Sequence, residues 1–346
     1  MTFEPETENI VPESTVPGYQ ESDSRWHLIT PLVVILFLMA MLGALGVKST
    51  DRELVWDWLG REGGAVFMWW LLSSLAGIAV MPILFTMLPG LPGRGYALAR
   101  AAGLMLVGFV FWYVASLGMW ENTPGSIALA WLVVAAMGAM IWQRKGKNID
   151  LKAYLHEHWT FMLVVEILFA SMLFGWAIFR AYEPEIRSTE KPMEMMFVNS
   201  IRESEFFPPN DGWLAGYSIS YYYFGYVIIA GLADVSGVNS GIAFGLIGPL
   251  LFALSGINIF GVVYDLVRLR RGESGRHGAI WVGILGVVML VIMGNLGAFL
   301  IEQPWNGQGL MKNFARIWYF DYWDVPERSN LVYDTDVNDG QDNWYA

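Results

Sequence analysis

Seven apolar stretches long enough to cross a bilayer dominate this chain, at about residues 28–47, 65–88, 97–119, 126–142, 160–179, 242–266 and 279–301. A hydrocarbon core about 30 Å thick takes about 20 helical residues to cross, and it tolerates no open backbone polar group. Each stretch therefore predicts a membrane-spanning α-helix. Of the 346 residues, 55% are hydrophobic and only 15% charged, against roughly 25% charge in soluble domains, which excludes a water-soluble enzyme. There is no cysteine, so disulfides, thiolate metal sites, a cysteine nucleophile and a lipidated cysteine anchor are excluded too. A net charge of −11 argues against a nucleic-acid partner, which would need a basic face.

An eighth stretch, 221–238, is weaker: it opens with Tyr221, Tyr222 and Tyr223 and is interrupted by Gly225, Gly231, Asp234 and Ser236. Charge decides how to read it. Basic residues cluster at Arg94 and Arg100, at Arg144, Lys145, Lys147 and Lys152, and at Arg268, Arg270, Arg271 and Arg276, and the positive-inside rule makes all three clusters cytoplasmic. Between Lys152 and Arg268 the chain must then cross an even number of times, yet three apolar stretches lie there. The tyrosine-led one is the candidate for a re-entrant or interfacial helix, with its aromatic end at headgroup depth.

The expected fold class is all-α: a polytopic integral membrane protein with about seven transmembrane helices plus a re-entrant or interfacial helix. Its N-terminus is cytoplasmic and its C-terminus extracytoplasmic, in the cell membrane. Residues 1–25, rich in carboxylates among Pro, Ser and Thr, read as a disordered acidic tail. Residues 26–159 form an N-terminal four-helix membrane region. Residues 160–301 form the core, with the outer loop 180–220 and the re-entrant helix 221–238. Residues 302–346 form an outer tail with interfacial aromatics such as Trp305, Trp318 and Trp323, then the acids Asp334, Asp336, Asp339 and Asp342.

The outer loop is the most chemically loaded segment. It sets Glu183, Glu185 and Glu190 beside Arg187 and Lys191, then brings Arg202, Asp211 and Trp213 up to the tyrosine triplet. Such a group can hold a divalent cation through oxygen ligands, bind a phosphate through Arg187, Lys191 or Arg202, and take a proton on a carboxylate. Outer loops are also simply polar, and these ions can pair with one another; spacing alone leaves both readings open.

The strings Tyr182-Glu183-Pro184-Glu185-Ile186, Thr189-Glu190-Lys191-Pro192-Met193, and the run from Phe207-Pro208-Pro209-Asn210-Asp211-Gly212-Trp213 to Tyr221-Tyr222-Tyr223-Phe224-Gly225-Tyr226 resemble the YYY family of archaeal and bacterial membrane proteins. That uncharacterised family is named for its tyrosine triplet. Weaker agreement, as in Pro92 to Arg100 and Ala115 to Gly118, extends the resemblance over about residues 63–323. The family in turn is similar to the GT-C superfamily of glycosyltransferases, which use polyprenyl-phosphate sugar donors and place an acidic motif in the first outer loop. The resemblance implies a GT-C-like core in the C-terminal half and transfer of a sugar to an extracytoplasmic acceptor. It implies Glu183 or Glu185 as the general base or metal ligand, and Glu190 or Asp211 as the second acidic position, a ligand of a Mg or Mn ion. Lys191 and Arg202 become phosphate contacts, and Trp213, Tyr221, Tyr222 and Tyr223 a wall for sugar or lipid.

Members of that family look longer, continuing to an outer motif with an Asp and two histidines. Here His27, His156, His158 and His277 all fall on the expected cytoplasmic side. The alternatives are half of a split enzyme completed by a partner membrane protein, a processed fragment, or a non-catalytic subunit that keeps the scaffold and holds a partner. Elsewhere, His156-Glu157-His158 lacks zincin spacing and reads as an interfacial turn, and Gly93-Arg94-Gly95 as a tight cytoplasmic turn. Asp265 reads as an exposed partner of Arg268. Glu166, inside a span, reads equally as a functional group or as half of a buried pair whose partner the sequence does not name.

Overall fold

The computed structural model describes residues 52–146, 149–181, 185–186, 190–272 and 275–293. The described chain is helical. Eight helices follow one another as α1 (Arg52–Met87), α2 (Ala99–Ser116), α3 (Pro124–Lys145), α4 (Leu151–Ala181), α5 (Lys191–Glu203), α6 (Phe224–Ser236), α7 (Ser240–Arg271) and α8 (Arg276–Val287). A 3-10 turn, Tyr96–Leu98, leads into α2, and α8 runs on as a π-helical turn, Val288–Ile292. Among the described residues the single β feature is an isolated antiparallel bridge between Asn210 and Ser218.

Local chemistry sets the helix ends. Thr123 accepts from Ser126 N–H at 3.2 Å with Pro124 opening α3, and Asn239 accepts from Ile242 N–H at 2.9 Å to open α7. Both are N-cap arrangements that satisfy otherwise open amides. α6 stops at Gly237 and α7 at Gly272, which take φ of 68° and 63°, a region that favours glycine. Arg144 and Lys145 close α3 and Arg268, Arg270 and Arg271 close α7, where cations suit the helix dipole.

Among the described residues, five segments are long and apolar enough to cross a membrane: Val55–Met87, Tyr96–Ser116, Pro124–Lys145, Leu151–Ala181 and Ser240–Arg271. Of the seven stretches expected, 28–47 lies outside the described residues. The last, 279–301, is described only as the shorter apolar helix Arg276–Val291. The acidic tail 1–25, the outer tail 302–346, Glu183, Arg187 and Lys147 also lie outside. α6 has 13 residues, so it is about 20 Å long and too short to span.

The three basic clusters come together at one end of the bundle. Tyr154 donates to Gly93 O at 3.0 Å, Gly93 N–H donates to Asp265 at 2.6 Å, and Arg276 donates to Glu157 at 3.3 Å. The packed interior is continuous from Trp69 through Leu104 and Phe169 to Leu232 and Phe260. Phe161 packs against both Tyr264 and Phe260, with ring centroids 4.2 and 5.8 Å away.

Two charged residues sit differently from expectation. Asp265 is buried, not exposed, because the 92–95 turn folds onto α7 instead of projecting into water. A side chain at position 93 would come within 2.9 Å of the Asp265 carboxylate and 3.0 Å of Phe161, so glycine there lets the backbone amide reach the acid. Arg100 is no surface cation of the first basic cluster. It is buried in the first turn of α2, where its guanidinium meets the Glu166 carboxylate, donates to Ser74 Oγ at 3.1 Å and lies 4.4 Å from the Phe169 ring centre. Tyr96 completes the cluster by donating to the other Glu166 oxygen at 2.7 Å. An ionisable side chain within a span needs such partners, and Glu166 has them.

Candidate functional site

The outer loop is not irregular throughout. Residues 191–203 form α5, an amphipathic helix whose Phe197, Val198 and Ile201 are buried, while Lys191, Glu194 and Arg202 carry its polar side. The spacing of Phe197 and Ile201 is that of one helix face, a signal present in the sequence but masked by the charges around it. Asn122, from the turn before α3, donates to Ile201 O at 2.6 Å and Ser204 O at 2.9 Å and so holds the end of α5.

After α5 the chain turns back over it. Asp211 N–H donates to Tyr217 O at 2.8 Å and Ile219 N–H to Pro209 O at 2.9 Å, and Gly216 takes a φ of 84° in the turn between. Gly212 rests on α5 so closely that a Cβ there would stand 2.9 Å from Met196 Cγ and 3.0 Å from Ser200 Oγ. Phe207 packs between Phe111 and Tyr223, and the Tyr223 hydroxyl accepts from Trp112 Nε1–H at 2.9 Å. These contacts fix the tyrosine triplet at the start of α6.

That arrangement leaves a groove of about 640 Å³. Ala101, Leu104 and Met105 of α2 form one wall, Ile247, Leu250, Leu251 and Leu254 of α7 the other, and Ile228 and Ile229 of α6 the back. The mouth is made by Trp112, Glu194, Tyr221, Tyr222 and Tyr226. Ser255 and Asn258 lie at the far end of the α7 wall, and Asn258 Oδ1 is buried without a hydrogen-bond partner among the described residues. From Ile247 to Asn258 the groove runs roughly 16 Å along α7. Its volume falls in the range typical of small-molecule sites, about 300–1,000 Å³.

The expected site residues divide around this groove. Tyr221, Tyr222 and Tyr223 line it. Glu190 precedes α5 at the same end, close enough to act on Tyr222: a hydrogen bond with Tyr221 and the carboxylates of Glu190 and Glu194 push the Tyr222 hydroxyl up to about 12. Lys191 opens α5, and Arg202 closes it roughly 16 Å further along the axis, so the two expected phosphate contacts stand at opposite ends of one helix. Arg202 donates to Asp234 at 2.7 Å and to Ser240 Oγ at 2.8 Å, tying α5 to α6 and α7. Asp211 turns its carboxylate onto the Trp213 and Leu214 amides, at 2.8 and 3.0 Å, and Trp213 is largely exposed on the same turn. Glu185 lies apart from the mouth: its carbonyl accepts from Arg180 at 3.3 Å. The adjacent Ile186 lines a smaller cavity of about 280 Å³ with Trp58, Glu62 and Asn239.

Glu194, Tyr226, Trp112 and Asn258 were not singled out by sequence reasoning. Glu194 follows Glu190 by four residues and so shares its helix face, which was legible once 191–203 is read as a helix. The other three belong to distant elements that only the packing brings together. Replacing Arg202 with Gln breaks the charged hydrogen bond to the mostly buried Asp234, and should lower thermal stability by about 1–3 kcal/mol in purified protein. An unchanged melting midpoint would mean that the clasp carries no load.

Residues 106–328, close to two thirds of the chain, match the model of an uncharacterised membrane protein family, DUF2298. This chain belongs to DUF2298. The DUF2298 match covers most of α2, the mouth residues Trp112, Glu194 and Tyr221 to Tyr226, α6 and the whole α7 wall. It begins after Arg100 and contains its partner Glu166. No curated protein and no solved structure matches the chain.

Proposed function

We propose that this DUF2298 protein is a GT-C-like membrane glycosyltransferase, or the N-terminal part of one. It takes a polyprenyl-phosphate sugar donor whose chain lies in the groove between α2 and α7. The observation that carries the reading is the groove itself, an apolar channel with an aromatic and polar mouth at the end where the acidic loop lies. In this reading the protein has seven spans, with 28–47 first and 279–301 last, a cytoplasmic N-terminus, and its loop on the extracytoplasmic side.

The proposed reaction is an inverting displacement. An acceptor hydroxyl gives its proton to Glu183 or Glu185, of which Glu185 stands apart from the mouth and must approach it when the donor binds, and the acceptor oxygen bonds to the anomeric carbon. The bond from that carbon to the phosphate oxygen breaks, and its electrons leave with the polyprenyl phosphate. Lys191 is the phosphate contact at the groove end of α5, Arg202 orders the helix that carries it, and Trp213 with the tyrosines walls the sugar. A Mg or Mn ion fits the described carboxylates poorly. No three or more Asp, Glu or His side chains converge among the described residues, and Asp211 Oδ1 is taken by two amides. The step above therefore uses the carboxylate alone.

Two experiments test this. Protein purified in native lipid should retain a long-chain lipid, and Met105→Trp with Leu251→Trp, exposed residues on the two facing walls, should lose it by mass spectrometry. With a panel of radiolabelled polyprenyl-phosphate monosaccharides, Glu183→Ala combined with Glu185→Ala should abolish transfer in a folded protein. Full transfer in that variant sinks the catalytic assignment.

A second reading is a non-catalytic membrane subunit that holds a partner protein. It is favoured by the local engagement of Asp211 with its own turn and of Arg202 with Asp234. It predicts a stoichiometric partner in native purification, and transfer activity of neither the pair nor the chain alone.

A further inference from the structure

The chemistry of the groove mouth is more selective than its walls. Tyr221 and Tyr222 have ring centroids 4.0 Å apart, both rings are more than half exposed, and Phe197 links them to Tyr226 with centroids at 6.0 and 5.3 Å. Trp112 faces them from α2. Among the described residues the charges at this end are Glu190, Glu194 and Lys191, so there carboxylates outnumber the cation by two to one. At the far end of α5, Arg202 is paired with Asp234 and so adds no cation to the balance. Aromatic faces and a carboxylate are the two features that recognise an ammonium: the ring quadrupole attracts it, and the carboxylate pairs with it where water is thin. A bare phosphate head would meet like charge at Glu194.

We infer that the lipid held in this groove presents a positively charged ammonium to Glu194 and the tyrosine faces at the mouth. The inference rests on the groove reading above and narrows its substrate class: the unit carried on the lipid bears a basic amine. In a phosphate-linked donor, the amine sits on the transferred sugar, with the phosphate turned toward Lys191.

The test uses the full chain in nanodiscs of neutral lipid and three photo-crosslinking probes. All carry the same alkyl chain, with a trimethylammonium, an uncharged diol or a phosphate head, and crosslinks are mapped by mass spectrometry. The ammonium probe should label α2, α6 and α7 wall residues roughly tenfold more than the phosphate probe. The Tyr226 hydroxyl donates to the Glu194 carboxylate; Glu194→Gln keeps an acceptor for it and should erase that preference while leaving diol labelling intact, which reports that the groove still forms. Equal labelling by all three heads overturns the ammonium assignment and leaves the groove as a lipid site. Stronger labelling by the phosphate probe overturns it in favour of an anionic head. Failure of every probe to label the walls overturns the groove reading itself.

Discussion

Replacing Arg100 with Met while Glu166 remains costs this protein about 3–5 kcal/mol. The pair lies between α2 and α4, where the arginine is buried, and Ser74, Tyr96 and Phe169 complete its surroundings. Removing the cation leaves a carboxylate in a medium that solvates it poorly, held among the described residues by the Tyr96 hydroxyl. Most of the loss comes from the orphaned charge and not from the missing attraction, which gives the experiment its second arm. Arg100→Met combined with Glu166→Met should recover most of the stability, since a packed apolar pair of similar volume removes the orphan. Thermal inactivation of the purified protein reads both. A single variant as stable as the parent, or a double variant no better than the single one, would show that the cluster is not what holds α2 to α4.

The second large effect concerns one methyl group. A Cβ at Gly103 would overlap the carbonyl of Ala76 and stand 2.9 Å from the Gly77 nitrogen. These are backbone atoms of α1, which cannot rotate aside, so Gly103→Ala must part α1 from α2. The cost should reach or exceed the upper end of the ~1–3 kcal/mol typical of overpacking. Gly256 on α7 provides the comparison. Its added methyl would strike the sulfur end of Met172, a flexible side chain that can swing away. Alanine also favours the helix, so Gly256→Ala should change stability by less than roughly 1 kcal/mol. Close approach of helices through small residues is common in membranes, but these two glycines separate a contact that only glycine allows from one that merely has glycine in it. Equal losses in the two variants would contradict that distinction.

Much of this architecture was legible in the chain because the membrane leaves few solutions. The spans at 97–119, 126–142 and 242–266 lie on the observed helices, and a helix of 13 residues, too short to span, follows Tyr223. Where the reading failed, it failed over depth. Arg100 and Asp265 were placed in water because they lie near basic clusters, yet the turn between α1 and α2 folds inward and carries its polar groups to partners on α4 and α7. Such pairs join residues 66 and 172 positions apart, beyond any local pattern. At the candidate site, the tyrosines were singled out and do line the groove. Glu194 was hidden in a segment taken as loop, and Trp112 in one taken only as a span. Asp211 was recognisable as a polar turn residue, and its two backbone amides lie within three residues of it.

The length of the groove has a consequence for supply. At roughly 16 Å it covers about half of a ~30 Å hydrocarbon layer, and its mouth lies at the end away from the arginine clusters. On the proposed reading, a lipid seated there would have its head in one leaflet and would enter from that leaflet. If its headgroup is assembled on the opposite face, a flipping step must precede every encounter. On the proposed lipid reading, the rate at which this protein meets such a lipid would then be set by the asymmetry of the bilayer and not by the total amount of lipid in the cell.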